Sequence, residues 1–378
     1  MKLVFIRSKI DSTVYFNGDQ SASGVNSEIR EKLKLSAKAG SSSKNIIRGL
    51  YRLGYIESYE EWKFWDGPMV EVKAEDGMPV RLFPINQELK SEAALHYMAD
   101  CGKPDILWIE GTDFPPYLEL IFRETADCFK LVYSKEWRPW RVEALEKYDL
   151  CLVDEEWEVQ KVRQYYPEIA CGVWDKLIDY EHTHFPLKLE KRYDICYVAY
   201  LRRRKNHELL FRAMSNLKTR KLSCVCVGDN RKGYQQELER MASALGLDVT
   251  FTGEVSKEEV NRIINQSRMG VMCSTLDAAP RAILEYMAAD VPVLVNAQLW
   301  AGCRYVIPGT GLVCPPESFH EGIREILDHP ERFSPRSSYL KQFSFDKVMG
   351  RFVELLRMAG CPMRDPDHAW TVEGETAH

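Results

Sequence analysis

Apolar residues along this chain fall into short continuous runs, and the stretches between those runs repeat them at helical spacing. In the first half, runs at 3–6, 80–83, 105–109, 130–133, 150–153 and 169–173 predict strands, while 27–39, 115–126 and 155–165 predict amphipathic helices. In the second half, strands are expected at 194–199, 223–227, 249–252, 269–273 and 291–296. Helices are expected there at 207–217, 234–245, 257–266, 281–289 and 319–327, with a last one at 345–358. Nearly unbroken apolar strands separated by helices predict parallel sheets covered on both faces. The pattern starts afresh near Tyr193, after the polar, proline-containing stretch 182–192. The expected fold class is therefore α/β, with two Rossmann-like domains facing across a cleft. Residues 1–185 form the first domain and 186–345 the second. A terminal helix at 346–360 is expected to pack back toward the first domain, followed by a polar tail at 361–378.

Composition narrows the classes. Of 378 residues, 45% are hydrophobic and 28% charged, which suits a globular chain and excludes a disordered one. No apolar run is long enough to span a bilayer. The opening MKLVFIRSKI reads as a first strand; a signal peptide needs a longer apolar core. A net charge of −5 argues against nucleic acid as a partner. The 11 cysteines are scattered, with no CxxC, and read as reduced, buried thiols of a cytoplasmic protein. His182-x-His184 has no metal-type spacing around it, so no metal is expected.

One charged segment has two readings. Across 31–52, Lys32, Lys34, Lys38, Lys44, Arg48 and Arg52 interleave with Leu33, Leu35, Ile46, Ile47, Leu50 and Tyr51. This is either a basic amphipathic surface for peripheral contact with the inner face of a membrane or a lipid-linked acceptor, or a solvated helix face beside a Ser-rich loop at 41–43.

The segment that carries chemistry is STLDAAPRAILEYMAADVPVLVN, from Ser274. It follows an apolar strand, so its loop lies at the carboxyl edge of a parallel sheet, where such sheets bind ligands. Pro280 suits a first helical position, which would leave the amides of Arg281, Ala282 and Ile283 facing an anion. Ala278 and Ala279 are small enough for close approach. Asp277 and Glu285 stand eight residues apart. Upstream, YDICYVAYLRRRKNHELLFRAM places Arg202, Arg203, Arg204 and Lys205 between a strand and a helix, a concentration of cations suited to a diphosphate.

Asp277-x7-Glu285 resembles the E-x7-E element of the GT-B glycosyltransferases of the GT4 type (glycosyl transferases group 1), with Asp in place of the first Glu. Lys205 matches the family's diphosphate-gripping Lys, while Ala199 and Tyr200 replace its Gly-Arg pair. The resemblance implies a glycosyltransferase that moves a sugar from a nucleotide sugar to an acceptor hydroxyl, retaining and without a metal. It implies catalytic roles for Lys205, Asp277 and Glu285, with Asp277 toward the sugar and Glu285 on the ribose. Gly24, Arg204, Gly228, Glu254, Val255, Ala279, Pro280, Arg281 and Ala282 would complete the donor site. Cys171-Gly172-Val173-Trp174-Asp175 resembles the segment that closes the family's first domain. Lys135 falls where relatives place a His. Glu110, Asp113 or Glu136 would orient the acceptor hydroxyl or take its proton, unless they are ordinary loop acids. Trp62, Trp65, Trp108, Trp137 and Trp140 either stack on sugar rings or fill the core. The acceptor is expected to be a glycan, a lipid-linked molecule or a small molecule, and domain closure is expected to exclude water. No further cofactor is implied.

Two alternatives remain at this point. One is a GT-B-like protein that binds a sugar nucleotide or a partner without turnover; the other is a nucleotide-sugar epimerase on a similar fold. A dehydrogenase is disfavoured, because no G-x-G-x-x-G follows a strand.

Overall fold

A computed structural model describes residues 1–8, 41–74, 77–134, 138–217, 220–230 and 233–364. The chain divides into two units. The first comprises Met1–Trp174 together with the chain from Met349 onward, and the second is Asp175–Val348. The division thus falls before the 182–192 stretch, and the chain leaves the second unit within the helix Phe345–Met358.

The first unit is built on eight strands: β1 Lys2–Arg7, β2 Ser58–Trp65, β3 Val70–Lys73, β4 Pro79–Pro84, β5 Ile106–Glu110, β6 Phe129–Tyr133, β7 Leu150–Val153 and β8 Ala170–Val173. Their order is β3-β4-β2-β1-β5-β6-β7-β8. Every pairing is parallel except β3 with β4. The apolar runs occupy the interior strands, as their sequence demands: β5, β6 and β7 are buried throughout.

Strand β2 was not expected, and its charges explain why. Glu61 is 1% exposed, yet Lys44 Nζ lies 2.8 Å and Lys63 Nζ 3.2 Å from its carboxylate, with Arg7 Nε at 3.9 Å. Burial works to raise the Glu61 carboxyl; the charges of Lys63, Arg7 and Lys44 outweigh it and hold the group down at about 2.

In the described part of the basic segment, the apolar helix face turns to the core. Ser42 and Ser43 are helical, and the Ser41 side chain caps their helix, Ser42–Arg52, by accepting from the Lys44 amide. Ile46, Ile47 and Leu50 are buried in the core, and Lys44 is buried on Glu61, so this apolar face has no lipid to meet. Only Tyr51 and Arg52 are exposed. Residues 31–40, the helix expected at 27–39, and Gly24 lie outside the described residues.

The second unit has six parallel strands: β9 Tyr193–Val198, β10 Ser223–Val227, β11 Asp248–Gly253, β12 Ser267–Met272, β13 Val293–Asn296 and β14 Gly311–Cys314. Their order is β11-β10-β9-β12-β13-β14. From β9 the chain runs outward to β10 and β11, then returns to pair β12 on the other side of β9. That reversal is a topological switch point, and it opens a crevice at the carboxyl ends of β9 and β12. The short strand β14 and the helix Pro335–Phe343 went unexpected. All eleven cysteines are unpaired, and eight of them are buried.

Candidate functional site

The two loops that leave the switch point carry the site. After β9, residues 199–206 pass over the sheet edge and end in a single 3-10 turn, Arg203–Lys205. The turn is held from below. Tyr197 Oη, fully buried, donates to the Lys205 carbonyl at 2.5 Å, and Ser274 Oγ donates to the Arg204 carbonyl at 3.0 Å. Gly228 follows β10 with φ +154°, and a Cβ there would stand 2.2 Å from the Ala199 carbonyl oxygen. Its lack of a side chain therefore serves the close approach of the 199–205 loop.

After β12, Ser274 to Arg281 lead into the helix Ala282–Ala288. The helix begins later than the sequence suggests. Arg281 is its cap, Pro280 precedes the cap, and the Ile283 amide is taken by the Pro280 carbonyl at 3.3 Å. The expected row of three open amides is thus corrected. Ala279 adopts φ +44°, a left-handed conformation unusual for a side chain-bearing residue, and is 2% exposed. Gly302, at φ +116°, abuts it: a Cβ there would lie 3.1 Å from Pro280 Cδ and 3.3 Å from Ala279 Cα.

Between the loops, Lys205 Nζ forms an ion pair with Asp277 Oδ2. Both side chains are largely buried, 10% and 14% exposed. His207, two residues on, is fully buried against the Tyr197 ring, with centroids 4.6 Å apart. Burial, and then the Lys205 charge, push its imidazole down to about 3, so it is neutral at any ordinary pH. Of the neighbouring arginines, Arg203 is drawn away to Glu237 at 2.6 Å. Arg204 is exposed, and the Nε of half-buried Arg202 has no hydrogen-bond partner. Tyr200, which stands where the family has Arg, is 44% exposed.

The 282–288 helix is fixed over β9 by Tyr286. Its buried hydroxyl accepts from the Val198 amide at 2.7 Å and lies 3.3 Å from the Cys196 carbonyl. A Cβ on Gly270 of β12 would strike this ring at 2.4 Å, so that position requires glycine. Glu285 sits on the same helix, 13% exposed, with His184 Nε2 at 3.7 Å. Half-buried Lys257 has its ammonium lowered by burial and then by the Arg281 charge; Asp179 and Glu285 act in the other direction. His184, Lys257, Tyr286 and Gly302 gave no signal in the sequence.

The remaining expected residues are dispersed. Glu254 and Val255 follow the edge strand β11, two strands from β9. In the first unit, Glu110 ends β5 and is buried, whereas Asp113 is exposed and accepts from Thr112 Oγ1 at 3.1 Å. Lys135, Glu136 and Trp137 lie outside the described residues. Trp62 and Trp108 are fully buried core, which corrects a sugar-stacking role for them, and Trp65 is 6% exposed. Trp140 packs edge-on against Trp157. Asp175 pairs with Arg304 at 2.6 Å. Among the described residues there is no cluster of His, Cys, Asp or Glu that could hold a metal ion, and no helix long and apolar enough to cross a membrane.

Residues 179–342 match the family model for glycosyl transferases group 1. That match spans nearly all of the second unit. No curated protein matches the sequence. Among solved structures, sucrose-phosphate synthase from Thermosynechococcus elongatus is similar at a TM-score of 0.68 and 14% identity, over 94% of this chain and 98% of that one. Anabaena HepE in complex with UDP gives 0.68 and 12%, over 95% and 100%. The lipopolysaccharide outer core galactosyltransferase WaaB gives 0.65 and 14%, over 95% and 99%. At such identities the likeness establishes the fold, and the fold is GT-B.

Proposed function

We propose that the chain transfers a glycosyl group from a nucleotide sugar to an acceptor hydroxyl. The observation that carries this reading is the meeting of Lys205 and Asp277 at the switch point, inside the segment that matches the glycosyl transferases group 1 family model. Lys205, with Arg202 and Arg204 beside it, holds the diphosphate. Glu285 takes the ribose hydroxyls. The bond from the anomeric carbon to the leaving phosphate oxygen breaks as the bond to the acceptor oxygen forms, and the acceptor proton passes to that phosphate. No side-chain base is then required, and the configuration is retained. Neutralising the charge that develops on the diphosphate is the main catalytic contribution, so a chelator leaves transfer intact. Loss of transfer on chelation, restored by a divalent ion, refutes that part. The acceptor is a glycan, a lipid-linked molecule or a small molecule.

HepE has been captured with UDP, which makes UDP the first probe. Specific binding raises the melting temperature by mass action. Wild type is expected to be stabilised by UDP or another nucleoside diphosphate, and Lys205→Ala to lose that shift while keeping its response to the bare nucleoside. Indifference to UDP, GDP and ADP alike sinks the reading.

A second reading, binding without turnover, is favoured by one observation: Asp277 is engaged by Lys205. Wild type that binds a nucleotide sugar, yet neither hydrolyses nor transfers it, decides for this alternative.

A further inference from the structure

His184 occupies a place that the fold does not require of it. Its backbone is secured by other groups. The Asp179 carboxylate accepts from the His182 amide at 2.9 Å and from Thr183 Oγ1 at 2.7 Å, closing the turn that leads to His184. The amide of His184 itself donates to the Asp179 carbonyl at 3.0 Å. Just beyond, the side-chain amides of Asn261 and Asn265 donate to the Phe185 carbonyl at 3.1 and 3.0 Å. The imidazole takes no part in any of this.

Arg336 fixes where the imidazole stands. One guanidinium nitrogen, Nη1, donates to the carbonyls of Tyr180 at 2.9 Å, His184 at 3.4 Å and Ala288 at 2.6 Å. Ala288 closes the helix that bears Glu285. A single guanidinium therefore ties the His184 turn to that helix and sets the separation of the two side chains.

The side chain is 9% exposed, and its Nδ1 has no hydrogen-bond partner. Its Nε2 faces Glu285 Oε1 at 3.7 Å, beyond hydrogen-bond length. A buried ring nitrogen with no partner is a standing penalty on the fold. Such a penalty persists where a ligand relieves it.

We infer that His184 is a positioning residue of the donor site, which sets the Glu285 carboxylate for the two ribose hydroxyls of the nucleotide. The Nε2–H closes on one carboxylate oxygen when the nucleotide binds. The other oxygen, and the open lone pairs of the first, are then turned toward the ribose diol. This rests on the donor-binding reading above.

The test is calorimetry with UDP and with its 2′,3′-dideoxy analogue. Wild type should prefer UDP. His184→Ala should bind UDP about tenfold more weakly, the effect of one hydrogen bond to a charged group, and should bind the dideoxy analogue as wild type does. His184→Gln, whose side-chain amide reaches near the Nε2 position, should recover part of the loss. The double variant His184→Ala/Glu285→Gln should be no weaker than Glu285→Gln alone. Equal losses on both nucleotides, or no loss on UDP, overturn the inference. Should His184→Ala not fold, His184→Phe keeps the ring volume without its nitrogens and carries the same comparison. Wild type that binds no nucleoside diphosphate refutes the donor reading itself, which is a separate result.

Discussion

Lys205 and Asp277 form an ion pair across the switch point of the second sheet, although 72 residues separate them in the chain. The family resemblance assigns the first carboxylate of the x7 element to the donor sugar. Here that carboxylate is bound to the cation expected to hold the diphosphate.

The pair makes a prediction that runs against ordinary loss of function. Removing one member of a largely buried pair leaves the other uncompensated, so Asp277→Asn should melt lower than wild type without ligand. A diphosphate supplies the missing negative charge, and the repulsion between it and Asp277 is gone. UDP should therefore raise the melting temperature of Asp277→Asn more than that of wild type, while transfer falls. A smaller UDP shift in the variant contradicts the assigned role of the pair.

Tyr286→Phe tests the support beneath the loop. The ring stays against Gly270, but the Val198 amide and Cys196 carbonyl lose the hydroxyl between them. The expected loss is about 1–3 kcal/mol in urea unfolding, the usual penalty for an orphaned polar group. An unchanged midpoint and slope shows that water replaces the hydroxyl without penalty.

His207 gives a pH signature. Its imidazole lies at about 3 in the folded chain against an ordinary 6.5. Above 6.5 both states are neutral and nothing changes. As pH falls below 6.5, the unfolded chain takes a proton that the folded chain refuses, so stability falls. One such proton gives a slope of about 1.4 kcal/mol per pH unit. Between pH 6.5 and 4.5, His207→Phe should show an acid limb shallower by that amount. Parallel limbs for the two proteins disprove the neutral, buried state.

Glu61 acts lower on the scale. It sits at about 2, against an ordinary 4.5, so its stabilisation is complete above 4.5 and drains away as pH drops toward 2. Glu61→Gln leaves three cations facing an amide. It should lose about 3–5 kcal/mol at pH 7, with the gap to wild type narrowing below pH 4.5. A gap independent of pH removes the ion cluster as its cause.

Glu61 also shows why part of the fold was illegible. The strand SYEEWKFW reads as charged surface, because its carboxylates are neutralised by Lys2, Arg7, Lys44, Lys63 and Arg81, all of them outside the strand except Lys63. Apolar strands such as β7 and β10 announce themselves; a buried strand whose charges are paired elsewhere does not. Short edge strands such as β3 and β14 carry too few residues for a period to emerge. The segments that bear Lys205, Asp277 and Glu285 were legible from their positions after strands, and the structure brings Lys205 and Asp277 together. His184 was not, since it lies in a polar stretch that reads as a boundary. That stretch is in fact tied into the second unit, with Lys191 Nζ donating to the carbonyls of Asn265 and Ser267. A single guanidinium from a helix that also escaped notice then sets the place of His184.

The strand order of the second sheet also has a meaning in time. Strand β9 leaves the ribosome before β10 and β11, yet its partner on the other side, β12, follows both, and Asp277 and Glu285 come later still. A nascent chain that has completed three strands of this sheet already carries Lys205, but nothing for it to face. On the proposed reading, nucleotide capture is thus available only once the chain has doubled back, and it would reward the finished sheet with added stability at that moment.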